Sequence, residues 1–200
     1  MLKNFLIGIP VRDFKNPMSR LQKALTIDTR IELSKAMFLN ITKSFQDDST
    51  KIVCVTNDKL VKDFCQNNTI ETFSSLNKGL NSELEDFLHS YKYDHWTICH
   101  ADLPYITKFY AQEWIKECKL AELVICASKD NGTPLLGGSK KVKKLMYGNN
   151  SFNNHMEIFL NEDIKIKKSF NKEFSFEIDD EEDLKEFLKN KPRWSKKLDF

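Results

Sequence analysis

The chain alternates short, nearly unbroken apolar runs with longer stretches whose apolar residues recur at helical spacing. Phe5-Leu6-Ile7-Gly8-Ile9-Pro10-Val11 reads as a buried strand that stops at Pro10. From Asp28 to Phe45, the residues Ile31, Met37, Phe38, Ile41 and Phe45 share a helical face, with Asp28 or Thr29 available as a cap. Lys51 to Thr56 is a second strand of the buried type, and Asn57-Asp58 turns the chain into a short helix ending near Cys65. Thr69 to Phe73 gives a third strand, after which Leu76, Leu80, Leu84, Phe87 and Leu88 form one helical face. Trp96 to His100 is a fourth strand, Thr107 to Lys119 a helix, and Leu123 to Ala127 a fifth strand. Buried strands separated by helices predict a mostly parallel central sheet covered on both faces, a three-layer α/β sandwich.

Beyond residue 128 the alternation lapses. Asp130 to Gly138 is turn-rich, Ser139 to Lys144 is basic, and Tyr147 to Asn154 is polar with two apolar interruptions. Lys165 to Phe176 predicts one or two further strands, and Glu181 to Lys189 a closing acidic helix. No repeat, linker or low-complexity tract divides the chain.

Composition narrows the class. Two hundred residues, 40% hydrophobic and 30% charged, fit one globular domain over residues 1–200. A net charge of +2, from 31 basic and 29 acidic side chains, argues against a dedicated nucleic-acid binder. No apolar run approaches the roughly 20 residues that a spanning helix needs, so no membrane partner is expected. Met1 to Pro10 lacks a signal-peptide cleavage pattern. Five cysteines without Cys-x-x-Cys spacing fit a reducing compartment, so the expectation is cytoplasmic. Aromatic residues near Trp114 and Trp194 are candidates for a homodimer contact.

In an open parallel sheet, ligands bind beyond the carboxyl ends of the strands, so the segments after each strand are the ones that matter. The first runs from Pro10 to Leu21 and holds Arg12, Lys15, Ser19 and Arg20. Such a loop can wrap a triphosphate, its cations offsetting charge and its hydroxyl and amides donating hydrogen bonds. Taken alone, a solvated basic loop is the commoner reading. Neither a P-loop nor a Gly-x-Gly-x-x-Gly fingerprint is present.

The second segment, His100-Ala101-Asp102-Leu103-Pro104, puts an aspartate at the end of a central strand, suited to hold Mg²⁺ against a nucleotide phosphate. The third joins Ser128 to Thr133 with Tyr147 to Phe152 and His155; Thr133, Ser151 and the amide of Gly148 can form a small anion pocket near a helix start. Two ordinary turns with a capping serine explain the same residues locally. In the fourth, alternation places Glu177 and Asp179 on one face of a strand end, where they can supply further metal carboxylates, while Asp180 to Asp183 read as an acidic first helical turn. His89, His95 and His100 form no ligand pattern. Cys54, Cys99 and Cys126 read as buried and the remaining cysteines as helix-surface residues. No nucleophile elbow points to covalent catalysis.

Assembled, these segments resemble the 2-phospho-L-lactate guanylyltransferase family of deazaflavin-coenzyme biosynthesis, a nucleotidyltransferase fold of the glycosyltransferase-A type. The matching pieces are Ile9-Pro10-Val11-Arg12, Ser19-Arg20-Leu21, Gly79-Leu80-Asn81, Ala101-Asp102-Leu103-Pro104, Gly132-Thr133, Tyr147-Gly148 to Ser151-Phe152 with His155, and Ile178-Asp179 with Glu182-Asp183-Leu184. They span nearly the whole chain. The resemblance implies transfer of GMP from GTP to the phosphate of a three-carbon phospho-acid (2-phospho-L-lactate, phosphoenolpyruvate or 3-phosphoglycerate), with release of pyrophosphate. It implies a nucleotide site of Pro10, Arg12, Lys15, Ser19, Arg20, Gly79 and Asn81, with Arg20 and Asp102 catalytic. Thr133, Gly148 and Ser151 would hold the acid; Asp102, Glu177 and Asp179 would hold Mg²⁺.

Three positions depart from the family pattern. Met18 stands where lysine is usual before Ser-Arg-Leu, Asn131 replaces the first glycine of Gly-Gly-Thr, and Glu177 stands where aspartate is often found. Two alternatives remain open. One is a nucleotidyltransferase for a sugar phosphate or molybdenum cofactor; the other is a catalytically inactive nucleotide-binding module.

Overall fold

The computed structural model describes residues 4–198; three residues of the Met1–Pro10 segment and two at the end of the 1–200 span lie outside it. Seven strands form one sheet: β1 (Phe5–Pro10), β2 (Thr50–Val55), β3 (Glu71–Phe73), β4 (His95–Cys99), β5 (Leu123–Cys126), β6 (Leu135–Gly138) and β7 (Ile166–Ser169). Their spatial order is β3-β2-β1-β4-β6-β5-β7. All neighbours run parallel except β6, which is antiparallel to both β4 and β5. The helices are α1 (Ile27–Phe45), α2 (Lys59–Asn67), α3 (Leu80–Ser90), α4 (Lys108–Leu120), α5 (Ser151–Asn161), α6 (Lys172–Ser175) and α7 (Glu181–Lys189).

Alternation along β1 explains the two main cores. Phe5, Ile7 and Ile9 enter one buried cluster with Phe38 of α1, Trp114 of α4 and Phe174 of α6. Leu6 enters the cluster on the opposite face, with Phe87 of α3, Trp96 and Phe159 of α5. At Gly8, an added Cβ would run into the Phe87 ring and Ile98, so glycine is what lets α3 lie against the sheet there. A third, smaller cluster joins Leu21, Leu33 and Met37 to Ile178, Leu184 and Phe187, fixing α7 behind the first loop.

The three-layer, mostly parallel α/β architecture is as expected, but several local readings are corrected. Leu76 is fully exposed and precedes α3, which starts only after Gly79. The helix over 27–45 is capped by Thr26, whose hydroxyl accepts from Thr29 N, not by Asp28 or Thr29. Thr69 adopts a left-handed φ of 58°, so the third strand starts at Glu71. The turn-rich stretch contains a full central strand, β6, and Lys165–Phe176 contains β7 followed by the single helical turn α6. Cys65 and Cys118, read as helix-surface residues, are wholly buried. Trp114 is buried too, donating to Thr97 Oγ1 at 2.8 Å, and Trp194 is half-buried, donating to Pro104 O at 2.8 Å. Both rings are thus engaged within the fold, Trp114 wholly and Trp194 in part. No helix among the described residues is long and apolar enough to cross a membrane.

Candidate active site

Strand direction decides which loops meet. The chain builds outward from β1 through β2 to β3, then returns to the other side of β1 as β4, so the sheet's switch point lies between β1 and β4. Ligand crevices open at such a point, beyond the carboxyl ends of the strands. The segments after β1 and β4 flank it. Because β6 runs the other way, its entry from Thr133 and Pro134 lies at the same edge: Leu135 pairs with Cys99, and His100 N donates to Pro134 O at 2.9 Å.

The first loop is shaped from beneath. Arg30, buried in α1, donates to Asn16 Oδ1 and Pro17 O, both at 2.7 Å, while Phe14 packs edge-on against Phe64. Met18 takes a left-handed φ of 49° and launches the short turn Ser19–Leu21. The result is a cleft of about 500 Å³ lined by Pro10, Arg12, Met18, Ser19, Leu80, His100 and Asp102, among others.

A second cleft of about 470 Å³ adjoins it, lined by Arg20, Leu80, His100, Asp102, Asp130, Thr133, Gly148, Ser151, Glu177 and Asp179, among others. Leu80, His100 and Asp102 line both. The structure thus gathers most of the expected residues at one edge. Lys15 and Gly79 stand outside both linings, and the Asn81 side chain is committed elsewhere, accepting from Tyr147 N at 2.7 Å and donating to Tyr147 O at 3.1 Å. That double bond ties α3 to the strap before α5.

Where the expectation was a strand end at Glu177 and Asp179, the chain is extended but unpaired as a strand. Ile178 N donates to Asp102 O at 3.2 Å, and its side chain is buried, so Glu177 and Asp179 still face the cleft on either side of it. Asp183 Oδ2 accepts from Asp179 N at 3.1 Å and Asp180 N at 3.2 Å. Lys129, on the loop after β5, donates to Asp183 at 2.7 Å and to Asp180 at 2.9 Å, linking two walls of the site.

His100 and Asp130 are the residues that sequence reasoning missed. Ligand atoms of His100, Asp102 and Glu177 lie within 4.8 Å of one another, as do those of Asp130, Glu177 and Asp179. His100 Nδ1 is 2.8 Å from Glu177 Oε1. The signal was present but faint: His100 sits two residues before Asp102 at a strand end, on the same alternation. Its partner, 77 positions away, has no spacing to reveal it.

Burial, reinforced by the neighbouring Glu177 carboxylate, pushes the Asp102 carboxyl up to about 7. Asp179 is raised for the same two reasons, against the opposing pull of Arg20, whose Nη1 lies 3.9 Å from Asp179 Oδ2. Burial disfavours charge on His100, but the bond to Glu177 outweighs it and the ring rises to about 8. Asp102 Oδ1 and His100 Nε2 are buried with no hydrogen-bond partner among the described residues. Crowded carboxylates with an orphaned oxygen form a donor set for a hard divalent cation. The residues present fit one.

A family model described as "Guanylyl transferase CofC like" matches residues 5–196. The chain belongs to this family. Its relatives include the 2-phospho-L-lactate guanylyltransferase of Methanocaldococcus jannaschii, 31% identical over 151 residues, which cover 74% of this chain and 66% of that protein. The enzyme of the same name from Methanocaldococcus infernus is 30% identical over 183 residues, covering 90% of this chain and 82% of that protein. The match thus spans just under two thirds of the first relative and more of the second.

Solved structures share the fold. A Desulfovibrio desulfuricans G20 protein described as a nucleotide-diphospho-sugar transferase superposes with a TM-score of 0.79 at 13% identity, covering 99% of this chain and 92% of that one. The 4-diphosphocytidyl-2C-methyl-D-erythritol synthase of Anaerococcus prevotii gives 0.62 at 11%, covering 94% and 96%. The CofC-like architecture is therefore that of the nucleotidyltransferases.

Proposed function

We propose that this chain transfers GMP from GTP to the phosphate of a small phospho-acid, releasing pyrophosphate, as a step of deazaflavin-coenzyme biosynthesis. 2-Phospho-L-lactate is the first candidate acceptor, with phosphoenolpyruvate and 3-phosphoglycerate its close analogues. The observation that carries the reading is the pair of adjoining clefts that share His100 and Asp102 as a common wall. One is bordered by the loop after β1, the other by hydroxyls and the N-terminus of α5, so two anions can meet over one acidic cluster.

In the reaction a phosphate oxygen of the acid forms a bond to the α-phosphorus of GTP, and the bond from that phosphorus to the β-phosphate bridging oxygen breaks. The attacking oxygen is already an anion at neutral pH, so no general base is needed. Thr133, Ser151 and Gly148 hold the acid. Pro10, Arg12, Ser19 and Leu80, which line the first cleft, hold the nucleotide; Lys15 and Gly79 lie outside that lining, and the Asn81 side chain ties α3 to the Tyr147 backbone instead. Arg20 offsets charge that builds on the transferring phosphoryl group and the leaving pyrophosphate. Asp102, Glu177 and Asp179 would hold Mg²⁺, which when bound polarises the phosphoryl oxygens. Five cysteines without a disulfide accord with work in the cytoplasm.

The test is a screen of GTP, ATP and CTP against the three acids, reading pyrophosphate release with Mg²⁺ and with EDTA. Release from GTP that needs both an acid and the cation is the expected result. Preference for ATP or CTP, or indifference to every acid, overturns the proposal.

A further inference from the structure

Behind the second cleft lies a buried histidine whose proton has a fixed address. Met146 N–H points at His155 Nε2 at 2.8 Å. A backbone amide only donates, so Nε2 is the lone-pair nitrogen and the single proton of the neutral ring sits on Nδ1. Burial, 0% exposure, holds the ring neutral and pushes it down to about 4. Nδ1 in turn lies 3.1 Å from Thr133 Oγ1, with the Ser151 carbonyl also beside it. Ser151 Oγ is 3.0 Å from Thr133 Oγ1.

The protons can now be counted. Because Nδ1 is a donor, the Thr133 hydroxyl cannot spend its hydrogen on the ring. The two hydroxyls carry two protons and use one between themselves. One O–H remains, buried, on a pair that lines the cleft at 0% and 2% exposure. With the opposite tautomer, Thr133 would donate to Nδ1 and Ser151 to Thr133, leaving only lone pairs toward the cleft. A buried hydroxyl with an unspent proton requires an acceptor, whereas a wall of lone pairs repels an anion.

We propose that His155 is a positioning residue that polarises the Thr133–Ser151 pair, so that the cleft meets its ligand with an O–H donor and selects an anionic oxygen of carboxylate or phosphate class. The proposal deepens the reading of this cleft as the acid site and rests on it. The chain of direction is Met146 N–H to His155 Nε2, then Nδ1–H to Thr133, then the leftover hydroxyl to the ligand.

The test has two arms on the full-length protein. Nitrogen-15 NMR of labelled histidine reads the tautomer directly: His155 is expected with protonated Nδ1 and bare Nε2, and a proton on Nε2 overturns the proposal. In the second arm, inorganic phosphate and 3-phosphoglycerate are titrated while backbone amide shifts are followed, in the wild type, His155→Phe and His155→Asn. Phe should weaken both ligands by about tenfold or more, leaving the KM for GTP unchanged, and Asn, which puts an amide N–H near the place of Nδ1–H, should recover most of the loss. Unchanged affinity in the Phe variant overturns the proposal, as does equal loss in Asn and Phe when both melt with the wild type. If phosphate binding depends on His155 but no acid accepts GMP, the proposed reaction fails and the polarised donor stands.

Discussion

Replacing Asp102 by asparagine should stabilise the protein in EDTA while abolishing its activity. In the folded chain this carboxyl titrates near 7 instead of 3.8, held there by burial and by the Glu177 carboxylate. Between pH 4 and pH 7 the native state therefore keeps a proton that the unfolded chain has released, and stability falls as pH rises through that window. At about 1.4 kcal/mol per pH unit the cost at pH 8 is at most about 4 kcal/mol, and water in the adjoining clefts reduces it to about 2–4 kcal/mol. Asparagine has no charge to lose. Removing Asp102 also removes part of what raises His100, which subtracts a little from the gain, because His100 is stabilising below pH 6.5 and that contribution drains away as pH rises through about 8. For a chain of this size, where 1 kcal/mol moves the melting temperature by about 2–4 °C, a gain of about 2–4 kcal/mol corresponds to a rise of roughly 4–16 °C, less the small His100 loss. The assay is thermal unfolding of wild type and Asp102→Asn in EDTA at pH 8 and at pH 4. A rise at pH 8 that shrinks toward zero at pH 4 is expected, and Mg²⁺ should raise the wild type alone. If the variant melts at or below the wild type at pH 8, the electrostatic account of the cluster is wrong.

Gly8→Ala drives a methyl group into the Phe87 ring and Ile98, and should cost about 1–3 kcal/mol, seen as a lower melting temperature with the KM for GTP unchanged. Arg20→Ala removes a side chain that is 71% exposed, so stability should hold within about 1 kcal/mol while kcat/KM falls by about 100-fold. Lys129→Met leaves the buried Asp183 carboxylate without its cation and loosens the segment that carries Asp179. It should cost about 2 kcal/mol and weaken Mg²⁺ binding measured by calorimetry; unchanged Mg²⁺ affinity would separate the clamp from the site.

The parallel half of the sheet was legible because buried strands there are nearly unbroken apolar runs, as in Phe5–Ile9 and Ile52–Val55. β6 was hidden by its own composition. Pro134, Gly137 and Gly138 look like turn residues, yet Gly137 lies against the Trp96 carbonyl and Gly138 against that of Glu122, an approach too close for a Cβ. Glycine there marks a tightly squeezed central strand, and only the partners reveal it. α6 was unreadable because four residues cannot display a helical period. At the site, Asp102, Thr133, Ser151 and Asp179 were reached from strand ends and family motifs, since each follows or precedes a strand or helix. His100 and Asp130 escaped because their neighbours come from distant segments that the Ile178–Asp102 hydrogen bond, the burial of Ile178 and the Lys129–Asp183 pair bring alongside. The separation of Lys15 and Asn81 from the cleft linings was equally invisible: it follows from the Asn16 anchor on Arg30 and the Tyr147 backbone that Asn81 grips.

The reversed strand is what makes two clefts out of one. A wholly parallel sheet would send the chain after β5 through a crossover to start its next strand at the far edge, leaving the switch point flanked only by the loops after β1 and β4. Here the chain turns directly from Cys126 back into Leu135, whose register with both Cys99 and Cys126 keeps Asp130 to Thr133 at the carboxyl edge beside Asp102. Thr133 then meets Ser151 and His155 of α5, while β7 lies parallel to β5 and delivers the Glu177–Asp179 segment to the same edge. One change of strand direction thus sets a hydroxyl-lined pocket against an acidic cluster already in contact with the first loop. That adjacency is the geometry a reaction between two phosphates requires.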